Sequence, residues 1–402
     1  MTDRTILISG ASIAGPALAY WLRHYGMNAV VVERAPELRT GGQTVDLRGA
    51  GREVARRMGI EAAVRDKTTH EEGIAFVDKA GRTRAAIGAD AFGGEGPVAE
   101  IEILRGELAR ILYERTRDDT EYVFGDRISA LDDRGDKVRV SFLNGADREF
   151  DLVIAADGIR SKTRDLVFGN ETKINSLGLY TSYFTIPRSA SDGTWARWYN
   201  APGSRCIMLR PDNLGTTRAL LSFQSPPRGY ENLDQAGQKE LLKRIFADAG
   251  WEAPRVLSAL EDSTEFYFEA VGQVKMPRWS RGRVALVGDA GYCASPISGM
   301  GTSLALVGAY VLAGELARHN DHREAFTSYE ALMRPYVTQA QKLPPGTPRI
   351  ASPRTRAGIA FGYAVLRFAT TPLVSRLLSK LLSPPADAIK LPDYLTERPQ
   401  SA

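Results

Sequence analysis

The sequence predicts a mixed α/β protein, α+β overall, in which a doubly wound nucleotide-type domain is interrupted by a mostly antiparallel β-sheet. Three observations predict it. Strand-like apolar runs alternate with helical patterns through the first third of the chain and again near its end, whereas residues 175–272 carry short alternating segments. Strand ends rich in glycine recur at three remote places, "ILISGASIAG", "LVIAADG" and "RVALVGDAG". At 402 residues, 43% hydrophobic and 25% charged, the chain is long enough for two domains that each bury a core.

The elements follow in order. "TILIS" reads as a strand, followed by a helix from about Ile13 to Tyr25 that Gly26 stops, the strand "AVVVE", and a helix around "GREVARRMG". From Gly73 the pattern becomes short and glycine-rich, and then "LRGELARILYERTR" reads as a helix leading to alternating strands and "FDLVIAADG". "LGLYTSYFTI", "TWARWYN", "SRCIMLRP" and "RALLSFQS" predict an antiparallel sheet with one solvated face. The βα pattern returns at "RVALVGDAG" with a long helix from about Met300 to His319. These readings divide the chain into a discontinuous nucleotide domain of residues 1–72, 100–174 and 276–340, a substrate domain of 73–99 and 175–275, and a helical tail of 341–402. Within the tail, "AGIAFGYAVLRFATTPLVSRLLSKLL" is broken by Arg367, Pro372, Arg376 and Lys380, so it predicts amphipathic helices packed on the body, or lying on a membrane surface, but no integral span.

Composition excludes several classes. Lys and Arg exceed Asp and Glu by four (52 against 48) without forming a run, which gives no support to a nucleic-acid partner. Cys206 and Cys293 are far apart and belong to no CxxC pair or His cluster, so neither a disulfide framework nor a metal site is expected. The apolar run after "MTDR" is too short for a secretory signal, and a cytoplasmic location is expected.

The strand ends carry the chemistry. In "GASIAG", Gly10 makes the tight turn, Gly15 lets the helix pack against the strand, and Ser12, Ile13 and Ala14 lie between them, with Ser12 small enough for backbone to approach a diphosphate. Glu33 ends the next strand eighteen residues after Gly15, where an acidic side chain meets ribose hydroxyls. A plain strand-turn-helix with packing glycines accounts for this segment too. Asp157 before Gly158 reads equally as a turn or cap residue. In the third segment, Gly288-Asp289 is followed by Pro296, Gly299, Gly301 and Thr302 at a helix start, where backbone N–H groups favour negative charge and Asp289 can accept hydrogen bonds from sugar-like hydroxyls. Two polar seats on one domain imply an extended ligand, diphosphate at one and polyol at the other. FAD fits this better than NAD, whose site is complete within one half of a doubly wound sheet.

On these residues the chain resembles the FAD-dependent aromatic hydroxylases, single-component flavoprotein monooxygenases of the p-hydroxybenzoate hydroxylase type, over residues 1 to about 340. "ER" followed by "LRTGGQTVDLRGAGREVARRMGI" resembles the branch containing tetracycline-inactivating monooxygenases. The resemblance implies a Rossmann-like FAD-binding domain with an inserted substrate sheet and a C-terminal helical segment. It implies that Glu33, with Arg34 beside it, binds the adenosine ribose, that Asp46 and Arg105 contact the flavin coenzyme, and that Asp157 lies in a motif shared by flavin and nicotinamide. Asp289 then holds the ribityl chain, and Arg39 matches a position implicated with NADPH. Four residues depart from the family pattern: Ser12 for glycine, Tyr292 for histidine, Met300 for a polar residue, and Ser303 for asparagine.

The implied reaction uses NADPH or NADH as a transient co-substrate and O2 to hydroxylate an aromatic, polyketide-like or enolic small molecule through a flavin hydroperoxide, in a monomer or weak homodimer. The coenzyme carries that chemistry, so no catalytic side chain is assigned. For the substrate, Tyr183, Trp198, Tyr199, Met208 and Phe223 offer apolar surface beside Pro296, Arg205 and Arg210 can hold an acidic or enolic group, and Arg39 and Arg48 offer anion contacts to the nicotinamide. A halogenase of this fold is disfavoured because "WARWYN" lacks the Trp-x-Trp-x-Ile-Pro segment. A FAD-dependent reductase or dehydrogenase and a non-catalytic flavin-binding protein remain as alternatives.

Overall fold

The computed structural model describes residues 4–39, 41–89, 101–344, 346–371, 374 and 385–394. Its first layer is a six-stranded sheet in the order Ser280–Arg281, Val284–Leu286, Leu152–Ala155, Thr5–Ser9, Asn28–Glu33, Glu121–Phe124, parallel throughout except at the Ser280–Arg281 edge. The central strands are apolar on both faces, as a doubly covered parallel sheet requires. One face carries Ile6, Ile8, Val31 and Ile154 into the main core, against the helices Ala14–His24 and Gly301–Arg318. The other carries Leu7, Val30, Val32 and Val153 against a three-stranded antiparallel sheet of Ile128–Asp133, Val138–Phe142 and Arg148–Phe150.

Helix limits fall where local chemistry sets them. Ala14–His24 has Pro16 in its first turn, where a missing N–H costs nothing, Arg23 and His24 in its last turn, and Gly26 just beyond at φ +78°. Its Trp21 is fully buried edge-on to Tyr310, a burial that contributes roughly 1.5–3 kcal/mol. Gly301–Arg318 is buried along nearly its whole length, so it runs through the core rather than over it.

The second layer is a seven-stranded sheet in the order Tyr267–Lys275, Lys173–Pro187, Thr216–Gln224, Arg205–Pro211, Ala196–Ala201, Gly73–Val77, Thr83–Gly88, antiparallel except between Ala196–Ala201 and Gly73–Val77. The expectation of one solvated face is corrected. Helices Gln235–Phe246 and Ala253–Asp262 cover the face that bears Tyr180, Phe184, Ile207, Leu209, Leu221 and Phe223. Asp234 starts the first of these helices by accepting the Gly237 N–H at 2.8 Å, and Pro254 enters the second at its first turn. The opposite face turns toward the nucleotide domain.

The chain ends by returning to both layers. Arg356–Ala369, capped by Thr355, sets Tyr363 and Leu366 against Phe76 and Trp198 of the seven-stranded sheet and leaves Phe361, Val365 and Phe368 exposed. The part of the expected amphipathic segment at residues 372–373 and 375–384 lies outside the described residues. Residues 385–394 lie across the nucleotide domain: the Ala386 carbonyl accepts from Ala50 N and Tyr336 Oη, each at 3.1 Å, and the Pro392 carbonyl accepts from Tyr310 Oη at 2.7 Å. No described helix is long and apolar enough to cross a membrane.

Tyr394 closes this strap by packing on Gly314, where any Cβ would overlap its ring. Gly314→Ala is therefore expected to lower stability in urea unfolding by about 1–3 kcal/mol and to expose residues 385–394 to proteolysis. An unchanged midpoint together with an unchanged cleavage pattern would contradict this docking.

Candidate active site

The ends of three parallel strands meet at one cleft. Gly10 leaves the first strand at φ +109°, and a Cβ there would lie 2.6 Å from the Ala156 carbonyl oxygen and 3.0 Å from Asp157 Cα. Only glycine permits that approach. A Cβ on Gly15 would overlap the Gly10 carbonyl, so the second glycine sets how tightly the helix closes on the turn. Gly288, at φ +63°, brings the third strand end against the same helix, its Cβ position being 3.1 Å from Ala14 Cβ. Ile13 and Ala14 are buried under the turn.

Glu33 bridges the first two strand ends. Its two oxygens accept from Ala11 N and Ala35 N, each at 3.0 Å, and Arg39 approaches it at 3.6 Å from a partly exposed position, while Arg34 is exposed beyond it. Ser12 has a structural partner. Its hydroxyl accepts from Arg105 Nη1 at 2.8 Å, and Arg105 Nη2 donates to the Gly41 carbonyl at 3.1 Å. The guanidinium is thereby held over the glycine turn, where burial lowers its pKa and an anion would restore it.

Asp157 is committed to its own turn. Its carboxylate accepts from Ser161 Oγ, from Thr163 N at 3.2 Å and from Thr163 Oγ1 at 3.0 Å, and the Thr163 hydroxyl meets the Ser9 hydroxyl at 3.0 Å. Burial raises its pKa despite these donors. The basic stretch that follows contains Arg164, fully buried, which donates to the Ile159 and Ala290 carbonyls at 2.9 Å each and so ties the second strand-end motif to the third.

Asp289 begins the short helix Asp289–Tyr292 and is exposed to the cleft, with a pKa raised by the protein crowding around it. Beyond it come the turn Pro296–Ser298, with Pro296 exposed, Gly299 in the left-handed region at φ +63°, and the first turn of Gly301–Arg318 with Thr302 buried. A Cβ on Gly301 would meet nothing among the described residues within 4 Å, so the start of this long helix opens on free space. Asp46 borders the same loop, 3.3 Å from the Cβ position of Gly299, and it is paired with buried Arg48 at 2.9 Å. Three departures find their places here. Ser303 donates to the Arg48 carbonyl at 3.0 Å, Met300 is buried in the core, and Tyr292 turns into the core to meet Tyr329 Oη at 2.9 Å.

The seven-stranded sheet sorts the expected substrate residues by alternation. Tyr183, Trp198, Met208 and Arg210 point to the nucleotide-domain face. Phe223, Tyr199 and Arg205 point to the other face, which corrects their assignment: Phe223 stacks on Tyr180, Tyr199 donates to the Ala249 carbonyl, and Arg205 is bonded to the Pro202 and Ile245 carbonyls and to Asp248. Arg210 faces inward but already has partners. It grips Glu71 through two bonds of 2.9 Å, Glu102 at 2.5 Å and Thr44 at 2.5 Å, clasping the substrate sheet to the nucleotide domain. Tyr183 remains beside the cleft, stacked on Tyr267 at 6.4 Å. Sequence reasoning missed Glu71, Glu102, Tyr267 and Glu269 in this region, since they belong to no motif and only strand register brings them there.

The cradle fits FAD. The glycine turn with Arg105 suits a diphosphate, Glu33 a ribose, Asp289 a polyol, and the open helix start a ring that gathers negative charge. Comparison with known proteins points the same way. A family model described as "FAD binding domain" matches residues 3–343. A flavin-dependent monooxygenase of Legionella longbeachae is 41% identical over 339 residues, covering 84% of this chain and 87% of that protein. The crystal structure of tetracycline destructase Tet(51) superposes with a TM-score of 0.82 at 34% identity, covering 97% of this chain and 99% of that one. That of tetracycline destructase Tet(55) gives 0.79 at 36% identity, with 98% and 99% covered.

The Arg210 cluster yields a pH signature. Burial, together with the charges of Glu71 and Asp46, raises the pKa of Glu102 well above the carboxylate range even with Arg210 beside it. The folded state therefore keeps a proton that the unfolded chain releases, so stability falls as pH rises through that window, from about pH 5 to about pH 8. Glu102→Gln is expected to flatten this decline in melting temperature, and a decline identical to the parent's would remove Glu102 as its source.

Proposed function

We propose, from the premise that this chain belongs to the FAD-binding-domain family and is a FAD-dependent monooxygenase, that it uses NADPH or NADH to insert one atom of O2 into a flat polycyclic or phenolic molecule, with tetracyclines as the first candidates. The observation that carries the reading is the convergence of Gly10, Glu33, Arg105 and Asp289 on one cleft bordered by the inward face of the substrate sheet. Bound FAD supplies the redox and oxygen-transfer chemistry. In this reading the glycine turn and Arg105 hold the diphosphate, Glu33 the adenosine ribose, Asp289 the ribityl chain, and the Pro296–Gly301 loop borders the ring. Asp46 and Thr302 flank that loop, and Asp157 holds the turn that shapes the middle of the cleft.

The remaining tasks fall to the substrate sheet. Tyr183, Trp198 and Met208 give an apolar wall on its inward face, and the helix Arg356–Ala369 covers the far part of that wall from water, which protects reactive intermediates. Arg39, partly exposed beside Glu33, stands at the lip where a nicotinamide nucleotide would approach. The substrate class is supported by the likeness to the two tetracycline destructases, which extends over nearly the whole chain, tail included. A cytoplasmic location suits both a nicotinamide supply and the two free, buried cysteines.

The test is direct. The purified protein, loaded with FAD, is mixed with NADPH or NADH and a tetracycline or simple phenols, and oxygen uptake and product mass are followed. The expected result is substrate-stimulated oxidation of the nicotinamide with product gaining one oxygen atom, abolished in Asp289→Ala and retained in Arg205→Ala, whose side chain lies on the far face of the sheet. Bound FAD with no stimulation by any of these compounds would overturn the proposed substrates.

A further inference from the structure

Tyr267 and Glu269 lie on the edge strand Tyr267–Lys275, which pairs with Lys173–Pro187 so that Tyr267 faces Tyr183 and Glu269 faces Thr181. Phe268 between them enters the core beneath the helix pair, so alternation turns Tyr267 and Glu269 to the nucleotide-domain face. Glu269 is only 6% exposed. One of its oxygens accepts from Tyr267 Oη at 3.2 Å, while the other, Oε1, is buried and accepts no hydrogen bond from any described residue.

The charged groups that act on it come from every side of the cleft: Asp289 of the third strand end, Arg160 of the turn after Asp157, and Arg105 over the glycine turn. Arg160 is already engaged with the Glu231 carbonyl at 3.0 Å, and Arg105 with Ser12 and Gly41. Asp289 carries no proton to donate when ionised. A buried acceptor in such a place requires a donor, and what the two facing carboxylates select is a chain of hydroxyls, each able to donate to one side and accept from the other.

We propose that Glu269 is a second acidic seat for the polyol chain of FAD, opposite Asp289, contributed by the substrate sheet rather than by the nucleotide domain. The coenzyme then bridges the two layers, and Tyr267 positions the carboxyl that it bonds. Burial and the nearby Asp289 raise the Glu269 pKa to about 7, which lets the pair share a single proton and offer both a donor and an acceptor to the hydroxyls. This inference rests on the reading of the cleft as a FAD site.

Binding of FAD and of ADP to the coenzyme-free full chain tests it by calorimetry, because ADP carries the adenosine and diphosphate but no polyol. Glu269→Ala is expected to weaken FAD by about tenfold or more and to leave ADP affinity unchanged, whereas Glu269→Gln, which keeps an acceptor oxygen, retains most of the FAD affinity. Equal FAD affinity in Glu269→Ala and the parent would overturn the assignment while leaving the FAD site itself intact. An equal loss for FAD and ADP would overturn it too, since the polyol would not be what Glu269 reads. A parent that binds ADP but not FAD would instead defeat the underlying cofactor reading, and the inference with it.

Discussion

Everything in the cleft depends on one close approach of backbone to backbone. Where the first strand ends, Gly10 passes so near Ala156 and Asp157 of the neighbouring strand that a methyl group would not fit. Gly15 then lets the first helix close on the same turn, and Gly288 brings in the third strand end against Ala14. Three missing side chains thus concentrate Glu33, Asp157, Asp289 and the helix N-termini around one volume. The buried links Thr163–Ser9 and Arg164–Ala290 then hold those strand ends in register. A helix start and a buried guanidinium attract an anion only if they are held in place beforehand, and these contacts hold them.

The second layer is joined to the first by charge. Arg210 reaches from the substrate sheet to Glu71, Glu102 and Thr44, and Glu102 in turn pairs through backbone with the Asp46 strand that borders the cleft. Burying such a cluster is costly in desolvation, and its value lies in geometry: a planar, two-pronged arginine fixes distance and angle together. Ser303 and Arg48 make a second join, fastening the Asp46 segment to the helix that opens the cleft. Buried polar contacts therefore join the two layers beside the apolar contacts that Val274 and Met276 make with the main core.

Much of this was legible in the sequence, and the reasons are local. Gly10, Gly15, Glu33 and Asp289 announce themselves because a strand, a turn and a helix must follow one another within a few residues, and the structure puts all four on one cleft. Two helices lie within a residue of their expected limits, at Ala14–His24 and Gly301–Arg318, and a third, Gly49–Arg57, begins and ends two residues earlier than its pattern suggests. The substrate sheet was legible as a sheet but not as two faces. Alternation along one strand separates Met208 from Arg205, and register between strands separates Tyr183 from Phe223, which pairs with Tyr180. The helices after Asp234 bury the face whose alternation alone predicts a solvated surface. The departures at Ser12, Tyr292 and Ser303 look like weakened family positions until their partners Arg105, Tyr329 and Arg48 appear, each remote in the chain. Glu269 belongs to no motif at all.

The central claim is that three distant strand ends form one seat for one long coenzyme, with the substrate on the inward face of the second sheet. A crystal structure of the full chain with FAD tests it most directly. The expected result is diphosphate at the Gly10–Gly15 turn beneath Arg105, the ribityl chain at Asp289, and the ring against the Pro296–Gly301 loop, facing Tyr183. FAD bound elsewhere, or a ring lying on the Arg205 and Phe223 side of the substrate sheet, would contradict the account.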